Sequence, residues 1–224
     1  MTAFYQRLQN ETEQARQQLL SVPVIQDCFE GKVSLESYRA FLVEAFHHVK
    51  HTVPLLMACG SRLSDDKEWI RAAVVEYIEE EYGHHEWILN DIAATGGDKE
   101  RVRNGKPSPS IELMVSYLYD VIARNNPLCL FGMVHVLEGT SVALATNAAG
   151  VIAENLMLPR TAFSYLESHG SLDIEHLTFF ENLMNKIEDP QDQQDIIDSA
   201  KVVYRLYADM FRGLPRTFVA NQAA

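Results

Sequence analysis

The stretch LCLFGMVHVLEGTSVAL, residues 128–144, is apolar around most of a helical circumference, which is typical of a helix at the centre of a bundle. Within it, Glu138 is a lone acidic residue among apolar neighbours. Burying such a carboxylate costs on the order of several kcal/mol unless it is paired or coordinates a cation. From these residues alone, Glu138 has two candidate partners, an arginine from another helix or a metal ion.

Around this stretch, apolar residues recur every three or four positions along nearly all of the 224 residues, which predicts an all-α fold of about seven to eight helices. A chain with 47% hydrophobic and 22% charged residues can bury a core of its own, so residues 1–224 are expected to form a single domain. The expected helices span 2–20, 34–59 with a bend at Pro54, 64–96, 110–123, 128–148, 161–187 with a break near Gly170, and 192–211, and the one connecting loop spans 96–110.

Charge and composition exclude several kinds of partner. Thirty-one acidic and 19 basic residues give a net charge of -12, which repels nucleic acid and anionic membrane surfaces. No apolar run reaches the roughly 18 to 20 residues that span a bilayer, and the N-terminus lacks an apolar signal stretch, so a cytoplasmic protein is expected. Cys28, Cys59 and Cys129 are too scattered for a thiolate site, so histidines and carboxylates must hold any metal.

His169, Asp173 and His176 have the i, i+4, i+7 spacing that brings side chains to one face of a helix. Two imidazoles and one carboxylate suit iron, manganese or zinc. The same spacing also fits a polar helix face with a His–Asp hydrogen bond, so the motif alone leaves both interpretations open.

The run EEEYGHHE, residues 79–86, contains Glu81 and His84 in the order Glu-x-x-His. Such a pair reaches one metal from one helix in carboxylate-bridged di-iron bundles. Glu80 with His84, or Glu81 with His85, has an equally workable spacing of four. An acidic run is also typical of a solvated helix face, so the choice of ligands within it stays open.

Four more residues are candidates for a pocket lining or for hydrogen bonds to metal ligands. Glu44, His48 and His51 again have i, i+4, i+7 spacing, and His135 lies one turn before Glu138. We expect His135 to be a buried histidine with a hydrogen-bond partner rather than a ligand.

A single buried metal centre would explain polar residues on three otherwise apolar helices, each of which needs a separate explanation without it. The candidate ligands are Glu81, His84, Glu138, His169, Asp173 and His176. Three carboxylates and three imidazoles suit two iron ions with coordination positions left open for dioxygen and a substrate.

The segments YLESH at 165–169 and DIEH at 173–176 resemble the last metal-binding helix of the haem-oxygenase-like di-iron oxidases and oxygenases. That family belongs to the superfamily of thiaminase II (TENA/THI-4) and pyrroloquinoline-quinone synthase, and the resemblance covers residues 41–183. A glutamate and a histidine that precede the motif in the family match Glu138 and His84, and the family's other glutamate corresponds to Glu81. The resemblance implies a bundle of haem-oxygenase type that binds two iron ions, with manganese as an alternative.

Three departures from relatives narrow this expectation. Thiaminase II members use a cysteine on the central helix, where this chain has Phe131 and leaves Cys129 two residues early. Haem oxygenases use a histidine of the first helix to bind haem, whereas no histidine precedes His47 here, so haem is not expected. Quinone synthases bind a heavily anionic substrate with many Arg and His residues and need no metal, and the 19 basic residues spread along this acidic chain are a poor match.

The sequence therefore predicts a di-iron oxidase or oxygenase that acts with dioxygen on a small organic substrate. The alternative is a metal-free protein of the TENA/THI-4 or quinone-synthase type that binds a small organic ligand. A ferritin-like bundle does not account for the His-x3-Asp-x2-His motif. Neither nucleic acid nor a membrane is an expected partner, and a homodimer stays open.

Overall fold

The structure is a bundle of α-helices. The computed structural model of the chain describes residues 3–171 and 173–216, with side chains for all of these except 141–143, 146, 169–171 and 173–176. No β-strand occurs within these ranges, and none of their helices combines the length and apolar character needed to cross a bilayer. The helices are α1 Phe4–Leu20, α2 Pro23–Phe29, α3 Leu35–Val49, α4 Thr52–Arg62, α5 Glu68–Glu81, α6 His84–Ala94, α7 Lys99–Arg103, α8 Pro109–Arg124, α9 Leu130–Leu156, α10 Ser164–Ser171, α11 Asp173–Asn185 and α12 Pro190–Arg212.

The all-α class is confirmed, but the expectation of seven to eight helices is wrong because predicted helices are interrupted. The predicted helix 34–59 ends at Val49 and restarts at Thr52, instead of bending at Pro54. Proline lacks an N–H and clashes with the carbonyl four residues earlier. The restart places Pro54 in the first turn of α4, where no intrahelical N–H partner is needed.

Two further differences between the predicted and the observed helices have local causes. The predicted loop 96–110 contains the short helix α7, because the Asp98 carboxylate accepts hydrogen bonds from Glu100 N at 3.1 Å and Arg101 N at 3.0 Å and so caps the first turn. The predicted helix 64–96 is divided at Gly83, whose φ of 93° is a left-handed conformation that glycine adopts readily. The chain turns there, so that α5 ends at Glu81 and α6 begins at His84.

The predicted central position of the stretch 128–144 is confirmed by the packing of α9. This helix packs against α2, α4, α10, α11 and α12. One apolar cluster joins α1, α4, α5, α8 and α12 to the first half of α9, and a second joins α3, α6 and α10 to its second half. Because α9 belongs to both clusters, it connects the two parts of the core.

A glycine allows α9 and α12 to cross at close range. A Cβ at Gly132 would lie 2.6 Å from Ala200 N and 2.7 Å from Ile196 O, closer than such atoms can approach. Ser199 Oγ of α12 donates a hydrogen bond of 2.7 Å to Cys129 O at the same crossing. The two helix backbones are therefore in direct contact.

Gly132→Ala is expected to lower the free energy of unfolding by about 1–3 kcal/mol, because the added methyl group overlaps the backbone of α12. Gly150→Ala is the matched control on the same helix, since its Cβ would meet nothing within 4 Å. The control should be neutral or stabilising by up to about 1 kcal/mol through helix propensity. Urea denaturation followed by circular dichroism measures both variants, and equal stabilities would contradict the close crossing.

Candidate functional site

A cavity of about 180 Å³, which we call the apolar cavity, lies beside α9. Its wall is mostly apolar and is built from α2, α3, α4, α5, α6, α9, α10 and α12. Three of the six candidate ligands, Glu81, His84 and Glu138, line it. These three side chains come from three different helices, so the fold brings together residues that are far apart in the sequence.

Glu81 and His84 meet across the turn at Gly83. Glu81 is the last residue of α5 and His84 the first of α6, so the pair comes from two helices and not from one as predicted. The turn still brings His84 Nδ1 to 3.1 Å from Glu81 Oε2, with 5% and 19% of the two side chains exposed. A carboxylate commonly lies beside a metal-binding imidazole.

His85 and Glu80, which the sequence left as alternative ligands, lie away from the described wall of the apolar cavity. The side chain of His85 is 37% exposed, and its Nε2 lies 3.5 Å from Glu86 Oε1. Neither His85 nor Glu80 belongs to the described wall of the apolar cavity. His84, in contrast, is buried, and its ring stacks on Trp87 with 4.2 Å between the centroids. The structure thus places Glu81 and His84 at the cavity.

Glu138 faces the same cavity from α9, close to the phenol of Tyr77. Burial, and to a smaller extent the charges of Glu138, Glu80 and Glu81, raise the pKa of Tyr77. The buried Tyr77 hydroxyl has no hydrogen-bond partner among the described residues. Buried polar atoms nearly always have a partner, which can be an ordered water or an ion-bound ligand. The polar groups at this cavity therefore include two carboxylates, an imidazole and the Tyr77 hydroxyl.

The four residues considered for a pocket lining have different positions. His48 lines the apolar cavity and lies edge-on to Tyr207, with 5.8 Å between ring centroids. Glu44 instead accepts hydrogen bonds from Ser108 N at 3.1 Å and Ser108 Oγ at 2.8 Å, where α8 begins. His51 Nδ1 lies 3.2 Å from the Tyr119 hydroxyl, outside the described wall of the cavity.

His135, the fourth residue considered for a pocket lining, is buried and stacks on Phe180. Thr12 Oγ1 lies 2.7 Å from Leu8 O and 3.1 Å from His135 Nε2. Because the threonine hydroxyl has one hydrogen, which it donates to Leu8 O, His135 donates its Nε2 hydrogen to Thr12. Burial lowers the pKa of His135 to about 4, so its imidazole is neutral at pH 7. This geometry is that of the buried, hydrogen-bonded histidine expected from the sequence.

Asp91 is a buried carboxylate that the sequence reasoning missed. It lies on α6 and is fully buried. It accepts hydrogen bonds from Ser164 N at 3.0 Å, Ser164 Oγ at 2.5 Å and Tyr165 N at 2.9 Å, and so caps α10. Burial raises the pKa of Asp91, and these hydrogen bonds oppose the increase. The available signal was a carboxylate among the apolar residues of α6, the same signal that singled out Glu138.

The remaining candidate ligands, His169, Asp173 and His176, lie outside the residues whose side chains the structure describes. Within the described part of the chain, no group of three or more histidine, cysteine, aspartate or glutamate side chains is arranged to hold a metal ion. The helix α10 packs against α6 and α9, and its residues Tyr165 and Leu166 line the apolar cavity.

Comparison with known proteins identifies the family. A family model described as an iron-containing redox enzyme matches residues 39–208, and the chain belongs to this family. The relationship indicated by the sequence motifs is thereby confirmed. None of the curated proteins that were compared with the chain matched it.

Solved structures share the fold at low sequence identity. A domain of unknown function with a haem-oxygenase-like fold from Shewanella denitrificans is 22% identical, with a TM-score of 0.81 over 91% of this chain and 88% of that one. A TenA homologue from Pseudomonas syringae is 16% identical, with a TM-score of 0.77 over 93% and 91%. Haem oxygenase-1 from Synechocystis in complex with haem is 14% identical, with a TM-score of 0.74 over 94% and 91%. These likenesses show a haem-oxygenase-like fold.

Asp91→Ala is expected to lower the free energy of unfolding by about 2–3 kcal/mol, because two backbone N–H groups and one hydroxyl lose their acceptor. Asp98→Ala, which removes the exposed cap of α7, is the control and should cost about 1 kcal/mol. Urea denaturation gives both values, and hydrogen exchange of the Ser164 and Tyr165 amides should accelerate in Asp91→Ala alone. Equal losses in the two variants would show that the buried cap is no stronger than an exposed one.

Acidification is expected to destabilise the protein between about pH 6.5 and 4 through His135. The unfolded state binds a proton near pH 6.5, whereas the folded state binds it only near pH 4, so the free energy of unfolding falls as the pH falls through this window. The loss attributable to His135 should approach about 3 kcal/mol at 1.36 kcal/mol per pKa unit. Burial also lowers the pKa of His47 to about 4, so the decline in the wild type contains a second contribution.

His135→Gln isolates the first contribution, because glutamine does not titrate but can still donate a hydrogen bond to Thr12. Urea denaturation at pH 7, 6 and 5 should show a smaller decline in this variant than in the wild type. Parallel declines would contradict a neutral, buried His135.

Proposed function

We propose that this protein is a metal-dependent oxidase or oxygenase that holds iron, in a two-ion centre, and acts with dioxygen on a small organic substrate. The observation that carries the proposal is that Glu81, His84 and Glu138 line one otherwise mostly apolar cavity. Membership of a family of iron-containing redox enzymes supports iron over zinc, and manganese is the alternative. In this proposal residues 1–224 act as one domain.

The proposed ligands are Glu81, His84, Glu138, His169, Asp173 and His176. The position of α10 supports His169, because Tyr165 and Leu166 of this helix line the apolar cavity. Asp173 and His176 belong to α11 and are proposed from their spacing after His169 in the sequence. His169 follows Tyr165 by four residues, which is the sequence spacing of one helix face. Bound iron would supply one-electron chemistry with dioxygen, which side chains cannot perform.

Side chains of the protein would perform three further tasks in this reaction: they orient a ligand, exclude bulk water and donate a hydrogen bond. Glu81 Oε2 lies 3.1 Å from His84 Nδ1, so in this proposal the carboxylate orients the imidazole once His84 binds the metal. The apolar wall excludes bulk water from the reacting centre and gives an organic substrate a surface to pack against. The buried Tyr77 hydroxyl offers a hydrogen-bond donor near Glu138, where it can bind a water molecule or a polar group of the substrate.

The second candidate function is metal-free binding of a small organic ligand, as in the TENA/THI-4 or quinone-synthase type of protein. The mostly apolar wall of the cavity and the structural similarity to a TenA homologue favour it. Against thiaminase chemistry, Phe131 and Cys129 are both buried and neither belongs to the described cavity wall. The two functions differ in whether the protein retains a metal.

His84→Ala is expected to reduce the iron content of anaerobically reconstituted protein by at least half, because it removes a proposed ligand of the two-ion centre. The matched control is His85→Ala, since this neighbour is exposed at 37% and lies outside the described cavity wall. Glu81→Gln and Glu80→Gln form a second matched pair, and His176→Ala tests the helix beyond α10. Iron is measured by colorimetric assay after desalting, and circular dichroism checks the fold.

The proposal requires the wild type and both control variants to keep the same iron content. A wild type that retains no ferrous iron after anaerobic loading would rule out the iron centre and favour the metal-free ligand-binding function. Equal iron content in His84→Ala and His85→Ala would show that His84 is not a ligand.

A further inference from the structure

A second cavity, which we call the polar cavity, has a volume of about 430 Å³ and lies between α1, α9, α11 and α12. Exposed residues of α1, namely Gln6, Gln9 and Asn10, form its outer rim. The buried residues Thr12 and His135 line its interior. Residues with hydrogen-bonding side chains thus make up most of its lining, whereas they are a minority in the lining of the apolar cavity.

Glu138 is the one described residue that lines both cavities. It therefore stands at the boundary between an apolar space on one side and a polar, surface-connected space on the other. A carboxylate in this position can be reached from the surface without passing through the apolar cavity.

The two cavities are suited to different kinds of ligand. A divalent cation reaches a protein with water around it and gives up that water reluctantly. The polar cavity, at about 430 Å³, is larger than the apolar cavity, at about 180 Å³. Its amides, hydroxyls and carboxylates can replace water ligands along most of its wall, whereas most of the wall of the apolar cavity is aliphatic or aromatic and cannot.

The charges in the polar cavity do not oppose a cation. Arg16 lies at the rim, but its Nε donates a hydrogen bond of 2.9 Å to Glu13 Oε2, so Glu13 offsets the positive charge. Hydrogen bonds from Gln17 and Arg16 lower the pKa of Glu13, which keeps this carboxylate ionised at neutral pH. Glu138 supplies a second carboxyl group at the inner end. The net charge of -12 of the whole chain also attracts cations towards the surface.

We infer that the polar cavity is the route by which a hydrated divalent metal ion reaches Glu138, while the apolar cavity takes the organic substrate. This inference rests on the proposed metal centre and adds the path by which it fills. Separate routes allow the metal to load without displacing an organic molecule from the apolar side.

Gly139 offers a way to close the route. It lies on α9 and lines the polar cavity, and a Cβ there would meet nothing within 4 Å. Gly139→Leu therefore directs a large side chain into open space. Gly150→Leu is the matched control, because this glycine lies on the same helix, is exposed, and also has nothing within 4 Å of its Cβ. Gln9→Phe narrows the rim from α1 without adding a tryptophan, far in sequence from every proposed ligand.

Trp87 provides the signal for the measurement. Its indole stacks on the His84 ring at 4.2 Å between centroids, so a paramagnetic ion bound at His84 should quench its fluorescence. The chain has two tryptophans, and Trp69→Phe removes the other in all variants. Ferrous iron alone is mixed with the protein anaerobically in a stopped-flow instrument, and the final iron content is determined separately.

We expect Gly139→Leu to slow the quenching by at least about tenfold at unchanged final iron content, because the path is blocked and the ligands are intact. Gln9→Phe should slow the quenching less, and Gly150→Leu should load at the wild-type rate. If the wild type binds iron and both Gly139→Leu and Gln9→Phe load as fast, the route is wrong although the metal centre stands.

If the wild type binds no iron, the proposed function fails and the route fails with it. If Gly139→Leu loses iron altogether through a disturbance of Glu138, the rate in Gln9→Phe decides: slower loading supports the route, and a wild-type rate overturns it.

Discussion

The hydrogen bonds that Asp91 accepts at the start of α10 are the constraint on which the candidate site depends. They join α6, which begins at His84, to the helix whose residues Tyr165 and Leu166 form another wall of the apolar cavity. Asp91 follows His84 by two helical turns on the same rigid element. The Tyr38 hydroxyl donates a bond of 2.6 Å to Ala162 O just before α10, which adds α3 to the same junction. The relative positions of three cavity walls are therefore set by buried polar contacts, which are more directional than apolar packing.

The helical class and the central helix could be predicted from the sequence because both follow from the period of apolar residues, which is a local property. The ends of the helices could not be predicted in this way, because they depend on single residues. Pro54 moves the interruption four residues earlier, to the position of the carbonyl with which it would clash. Gly83 ends a regular pattern through a left-handed conformation that apolar periodicity does not reveal. The pairing of Glu81 with His84 was anticipated on the assumption of one continuous helix, yet a turn produces it.

The same interruptions explain which candidate residues reach the cavity. Glu44, His48 and His51 share a face only on an unbroken helix, and the break at Lys50 and His51 moves the last of them towards Tyr119. Glu44 stays on α3 but is occupied by Ser108, 64 positions away. Asp91 was missed for a related reason, since its partners lie more than 70 positions away. Sequence spacing predicts which side chains share a helix face, but it gives no information about distant backbone groups that need an acceptor.

The sequence singled out Glu138 because a carboxylate buried among apolar residues needs a partner. The position of Glu138 in the structure weakens this argument. A carboxylate wholly surrounded by apolar side chains would need a salt bridge or a metal to remain ionised. Glu138 is instead only partly buried, because one side of it borders the polar cavity. Its desolvation cost is therefore smaller than the apolar stretch 128–144 suggests, and the chain can fold with Glu138 in place before any ion arrives. In the proposed metal centre, Glu138 would therefore be a ligand that the fold positions in advance and that water and ions can still reach from one side.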